Sequence, residues 1–151
     1  MLTIDYDSIF SLFLGNIKDY EFAQLDISNA NLQMTEWLHK VLAKPYLRNL
    51  FSTVTADDEI QTLTVELTKA SDDDSDYVCD VMAKGMLVEW LRPQVNTHET
   101  IKQFFGGSEQ KFYSQANHLT ELRALYKDAK AEFDAMIRDR GAIYNSYLED
   151  D

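Results

Sequence analysis

The stretch Gln61-Thr62-Leu63-Thr64-Val65-Glu66-Leu67-Thr68 breaks the period of the chain around it. Leu63, Val65 and Leu67 alternate with Thr64 and Glu66, and β-branched residues are abundant, which predicts a strand with one apolar face. A lone strand cannot satisfy its own backbone, so this one pairs either with the 52–55 segment or with another chain. In the second case Leu63, Val65 and Leu67 form an inter-subunit strand. Every other periodic segment reads as helix, so this stretch separates an all-helical bundle from a mainly α chain that carries a β element.

Upstream, Asp5 or Asp7 caps a first helix whose Ile9, Phe10, Leu12, Phe13 and Ile17 share one broad side, ending near Gly15-Asn16. A second helix starts at Ser28 or Asn29. It places Ala30, Met34, Trp37, Leu38, Val41 and Leu42 on a buried stripe and stops before Pro45, which suits the first turn of a short helix through Phe51. Downstream, Asp72-Asp73-Asp74-Ser75-Asp76 reads as a loop and helix cap. A third helix over 76–92 carries Tyr77, Val78, Val81, Met82, Gly85, Val88 and Leu91, and Pro93 ends or kinks it.

A short helical turn over 100–105 precedes the break Gly106-Gly107-Ser108. From Glu109 to Arg140 the pattern is helical without a breaker, about 45 Å at 1.5 Å per residue. Phe112, Leu119, Leu122, Tyr126, Ala129, Phe133 and Met136 form a heptad seam, with Lys127, Lys130, Glu132, Arg138 and Asp139 outside it. Gly141 stops the helix, and the tail Ala142-Ile143-Tyr144-Asn145-Ser146-Tyr147-Leu148 is apolar and aromatic where a free end is usually polar, which predicts docking. The fold class is therefore mainly α: a helical bundle with one long C-terminal helix and a short β element. A single domain over 1–141 holds that element near 62–68, and a docking tail follows over 142–151.

Composition narrows the function classes. With 151 residues and 45% hydrophobic content, the chain has material for one core. No apolar run approaches the roughly 18 residues of a membrane span, and the first residues lack a secretory signal, so no membrane partner is expected. A single cysteine, Cys79, forms no internal disulfide and fits a reducing compartment. The formal charge of −12 argues against ordinary nucleic-acid binding, which depends on Lys and Arg displacing counterions. The same charge suits a wall that DNA passes without adhering, since repulsion reaches about 8 Å at physiological salt. Residues 1–75 hold 13 acidic and 5 basic side chains, whereas the C-terminal segment is nearly balanced.

Catalytic and metal motifs fall short one by one. Glu36-Trp37-Leu38-His39 has the Glu-x-x-His spacing of bundle di-metal sites, but the comparable His118–Glu121 pair runs in reverse and Gln115 stands where a second Glu belongs. Asp72, Asp74 and Asp76 open like a calcium loop, but Tyr77 replaces the required Gly and Ala83 the bidentate Glu. Gly106-Gly107-Ser108 lacks the Lys-Ser or Lys-Thr of a phosphate loop, and Ser108 reads as a cap. Cys79, on an apolar helix beside Asp76 and Asp80, reads as a packing residue. With no nucleophile–base constellation, the chain reads as no enzyme, with no cofactor and no metal.

The stretch Phe104-Phe105-Gly106-Gly107-Ser108-Glu109-Gln110-Lys111-Phe112-Tyr113-Ser114-Gln115-Ala116-Asn117-His118-Leu119, with the charged helix through Ile137-Arg138-Asp139-Arg140-Gly141, resembles the head–tail connector (adaptor) proteins of tailed bacteriophages that infect Gram-positive bacteria. The opening helix pair and Asp57-Asp58-Glu59-Ile60-Gln61-Thr62-Leu63 resemble that group too. The resemblance implies a virion structural protein, made in the host cytoplasm and located in the neck. It implies a homo-oligomeric ring, commonly of twelve copies, below the portal protein, continuing the DNA channel and docking stopper or tail proteins. It also implies that Ile143, Tyr144, Tyr147 and Leu148 contact the portal or a neighbouring subunit. In such a ring, Asp57, Asp58, Glu59, Asp72, Asp73 and Asp74 are candidates for an acidic lumen, against the alternative of an exposed solubilising loop. Two other readings stand beside this one: a stopper or other neck component, and an acidic inhibitor that imitates DNA. The near balance of charge on the long helix counts against the inhibitor.

Overall fold

A computed structural model describes residues 1–17, 27–68, 74–104 and 109–143, with side chains placed over 1–17, 29–68, 75–96 and 120–138. In chain order the elements are β1 (Leu2–Asp5), α1 (Tyr6–Gly15), α2 (Ile27–Leu42), the single turn α3 (Pro45–Arg48), β2 (Phe51–Asp57), β3 (Thr62–Leu67), α4 (Asp74–Phe104) and α5 (Glu109–Ile143). The chain is mainly α, with one small antiparallel sheet.

The sheet order is β1-β3-β2. β3 faces β1 through Leu2↔Val65 and Ile4↔Leu63, and β2 through Val54↔Val65, Ala56↔Leu63 and Phe51↔Leu67. Because directly paired residues share a face, these rows put the apolar side chains on one side and leave Thr3, Thr55, Thr64 and Glu66 on the other. An irregularity between Phe51 and Thr53 lets both Phe51 and Leu67 turn inward. The 52–55 segment thus supplies the strand's partner within the chain.

This arrangement corrects the inter-subunit role of Leu63, Val65 and Leu67. β3 is the central strand, both of its edges are hydrogen-bonded inside the chain, and all three side chains are buried in its own core. No edge remains on β3 for another chain to extend.

The helices wrap the apolar face of the sheet and one another. α1 buries Tyr6, Ile9, Phe10 and Phe13 but leaves Leu12 exposed, because its inward arc is narrower than the sequence pattern. Phe13 stacks obliquely on Trp37 of α2 at 5.4 Å and meets Trp90 of α4 edge-on at 6.5 Å, joining three helices. α2 buries Met34, Leu38, Val41 and Leu42 on the expected stripe. Pro45 opens α3, which ends before Phe51 because Phe51 belongs to β2.

α4 differs from the expected helix in length. Pro93 lies inside a helix of 31 residues instead of ending one, and the expected short turn over 100–105 begins as its continuation, Phe104 being its last residue. A proline removes one backbone hydrogen bond, and buried Val95 beyond it keeps the segment on the core. α5 has 35 residues, so the chain contains two long helices where one was expected. They run antiparallel: the Tyr77 hydroxyl donates to the Met136 carbonyl, Lys84 pairs with Glu132 at 2.7 Å, and Arg92 Nε donates to the Tyr126 hydroxyl. Leu122, Ala129, Phe133 and Ile137 are buried, with Tyr126 and Met136 half-buried beside them, so this length of the seam closes on α4 of the same chain. The side chains of Phe112 and Leu119 lie outside the described residues.

Gly85 sets how closely these helices approach. A Cβ there would sit 2.7 Å from Val41 Cγ1 and 2.9 Å from Phe133 Cε2, so the missing side chain lets α2, α4 and α5 meet at one point.

Candidate functional site

Two polar clusters form where elements distant in sequence converge. The first ties the β2–β3 turn to the helices. Asp57 Oδ1 accepts the backbone N–H of Glu59 at 3.0 Å and of Ile60 at 3.3 Å, an Asx-type turn that leads to Gln61 at φ 54. That turn places Asp58 against α1 and α2. The Tyr6 hydroxyl donates to Asp58 Oδ1 at 2.6 Å, and His39 Nε2 lies 3.0 Å from Oδ1 and 2.9 Å from Oδ2. The Tyr6 hydrogen bond holds the Asp58 carboxyl below the usual carboxylate range against the opposing effect of burial, and His39 adds to the lowering. Burial and the same carboxylate push the Tyr6 phenol well above its ordinary value.

The second cluster floors an open cleft of about 400 Å³ lined by Lys40, Ala43, Lys44, Glu89, Arg92, Pro93 and Asn96. Glu89 is 4% exposed, the one buried charged residue among the described side chains. Lys44 Nζ lies 2.9 Å and Arg92 Nη1 3.2 Å from Oε1, and Arg92 Nη1 also donates to Oε2 at 3.3 Å. Neither cation is aligned as a hydrogen bond to Oε1, which remains without a directed donor. The Tyr126 hydroxyl anchors Arg92 from the far side and raises its affinity for the proton further. Lys40 makes no ion pair among the described residues. Three cations against one carboxylate give the cleft a positive field on a chain of formal charge −12.

The sequence-derived site residues divide between these places and others. Asp57 and Glu59 are exposed at the hairpin tip next to Ile60, which is 68% exposed. Asp58 stands in the same tip but is engaged by Tyr6 and His39, so it is partly a structural tie. Tyr144, Tyr147, Leu148, Asp72 and Asp73 lie outside the described residues, as do the side chains of Asp74 and Ile143. Gly106-Gly107-Ser108 lies outside them as well. Cys79 is buried, and burial together with Asp76 and Asp80 pushes its thiol up, which disfavours the reactive thiolate. Among the described residues no three His, Cys, Asp or Glu side chains converge to hold a metal ion, and no helix is long and apolar enough to cross a membrane.

Sequence reasoning weighed His39 only as half of a Glu-x-x-His pair and missed its bond to Asp58, and it missed the cleft altogether. The local signals were present as Lys40 near the end of α2 and Lys44 just beyond it, before Pro45, and Glu89 and Arg92 at i,i+3 on α4. Only the packing of α2 on α4 brings the two pairs together. The class defined by this fold is a mainly helical chain built on a long antiparallel helix pair and a three-stranded sheet. No family model, curated protein or solved structure matches it.

Proposed function

We propose that the chain is a virion structural protein: a head–tail connector subunit that forms a ring below the portal, continues the DNA channel and docks neck or tail proteins. The observation that carries the reading is the proportion of the helix pair. Helices of 31 and 35 residues in a chain of 151 far exceed the ordinary length of about 11–12 residues in globular domains. The apolar stripe of α5 is used against α4, and Leu125, 57% exposed, stands outside it with Glu121 and Asp128 one helical turn away on either side. An exposed leucine rimmed by carboxylates is suited to a neighbouring subunit. The long C-terminal helix is accordingly assigned to subunit contact, and Ile143, Tyr144, Tyr147 and Leu148 to the portal or the next copy. The sequence resemblance over 104–141 supports the same reading.

The reading gives the chain a structural role, without catalysis, cofactor or specific DNA contact. Exposed Asp57 and Glu59 at the hairpin tip are assigned to the lumen wall, where carboxylates keep passing DNA from adhering. Co-expression with the portal protein from the same genome tests the proposal. The chain should co-purify with the portal through size exclusion, and a portal that elutes without it overturns the reading.

A further inference from the structure

We infer that the Lys40–Lys44–Glu89–Arg92 cleft is a docking site for an acidic peptide segment, the Asp72-Asp73-Asp74-Ser75-Asp76 stretch of a second copy of this chain. The inference rests on the assembly reading above in taking the occupant to be another copy. The cleft's chemistry specifies the occupant in two respects. Lys40 stands at the rim with no ion pair among the described residues, and Lys44 and Arg92 share a single carboxylate between them, so the cleft calls for further negative charge. Its floor calls for donors. Pro93, lacking an N–H, cannot serve the Glu89 carbonyl four residues earlier in the helix. Side-chain carboxylates beside backbone N–H groups supply both, and an acidic peptide presents that combination.

Geometry excludes the chain's own acidic stretch. Asp74 begins α4, and Glu89 and Arg92 lie 15 and 18 residues further along the same helix, about 22 and 27 Å away at 1.5 Å per residue. Asp72 and Asp73 are at most about 7 Å of chain from Asp74, so they fall roughly 15 Å short of Glu89. A second copy has no such tether. Because the cleft and the stretch lie at different levels of one helix, each copy gives one and receives one, a head-to-tail contact of the kind that closes into rings. Asp72, Asp73 and Asp74 thereby move from the lumen wall to the subunit contact.

Fluorescence anisotropy with a labelled peptide of residues 71–76, titrated with the full chain at about 50 mM salt, tests this directly. Saturable binding is expected, weakened at least about fivefold by Lys40→Glu, whose side chain makes no ion pair among the described residues. A peptide with asparagine at each aspartate should not bind. No saturable binding, equal binding by Lys40→Glu, or equal binding of a hexaglutamate peptide or a peptide of residues 146–151 overturns the inference. In the full chain, Lys40→Glu and Asp73→Lys should each abolish self-association in sedimentation velocity, and mixing the two variants should restore a dimer; no dimer overturns the head-to-tail contact. The peptide titration involves no portal. Peptide binding without portal assembly removes the connector reading alone, and portal assembly without peptide binding removes this inference alone.

Discussion

The Tyr6 hydroxyl donates a 2.6 Å hydrogen bond to Asp58 Oδ1, joining the first residue of α1 to the turn of the β2–β3 hairpin across 52 residues of sequence. The Tyr6 amide donates to the Gln61 carbonyl at 2.9 Å, so both ends of the turn are held by one residue. Tyr6→Phe keeps the buried ring and removes the hydroxyl. It should lower stability by about 1 kcal/mol, since Asp58 remains open to water. Urea denaturation checks this, and an unchanged midpoint contradicts the tie.

The Asp58 carboxyl titrates below its unfolded value, held down first by Tyr6 and then by His39. A depressed carboxyl pKa contributes stability that is present above the unfolded value, near pH 4, and is lost as pH falls through the folded value. Stability should therefore decline on acidification below about pH 4, and Asp58→Asn should flatten part of that decline. Thermal melts of both proteins between pH 3 and 7 make the comparison, with parallel curves counting against a role for Asp58.

Gly85→Ala sets two effects against each other. Alanine favours a helix by about 1 kcal/mol over glycine, but its Cβ would meet Val41 and Phe133 inside 3 Å, where overpacking costs about 1–3 kcal/mol. Val41 is β-branched and has little rotamer freedom to yield. Steric cost should win, giving a lower Tm. Adding Val41→Ala to Gly85→Ala should recover part of the loss, a non-additive pair in a double-mutant cycle. A Tm raised by Gly85→Ala alone contradicts the close approach.

Glu89 compensates two cations, so the members of the cluster are not equivalent. Glu89→Ala leaves Lys44, 16% exposed at its side chain, and Arg92 without their carboxylate, and should destabilise by about 2 kcal/mol, less than a fully dry pair because the cleft is open. Lys44→Met should cost less, because Arg92 continues to pair with Glu89. Chemical denaturation of the two variants gives the order; a reversed order contradicts the shared carboxylate.

The mainly helical architecture was legible because α2 repeats its apolar positions on one helical stripe, and the strand at 62–68 because Leu63, Val65 and Leu67 alternate with polar residues. β1 was not read: Leu2 and Ile4 alternate with Thr3 and Asp5, but four residues carry too little period to distinguish from a loop. Its presence changes the meaning of β3, from a strand with one free edge to a central one. That the helix continues past Pro93 was not legible, because a local rule for proline ignores the buried contacts of Leu91 and Val95 that hold the helix on both sides of it. The cleft and the Tyr6–Asp58–His39 cluster were illegible for a different reason. Each residue looks like an ordinary surface charge or core aromatic in its own segment, and only tertiary packing gives it a partner.

The most direct measurement of the connector reading is electron cryomicroscopy of the chain mixed with the portal protein encoded beside it. The account predicts ring-shaped density below the portal, into which the α4–α5 pair fits around an open channel with Asp57 and Glu59 toward the lumen. A portal with no added density, or density off the channel axis, contradicts it.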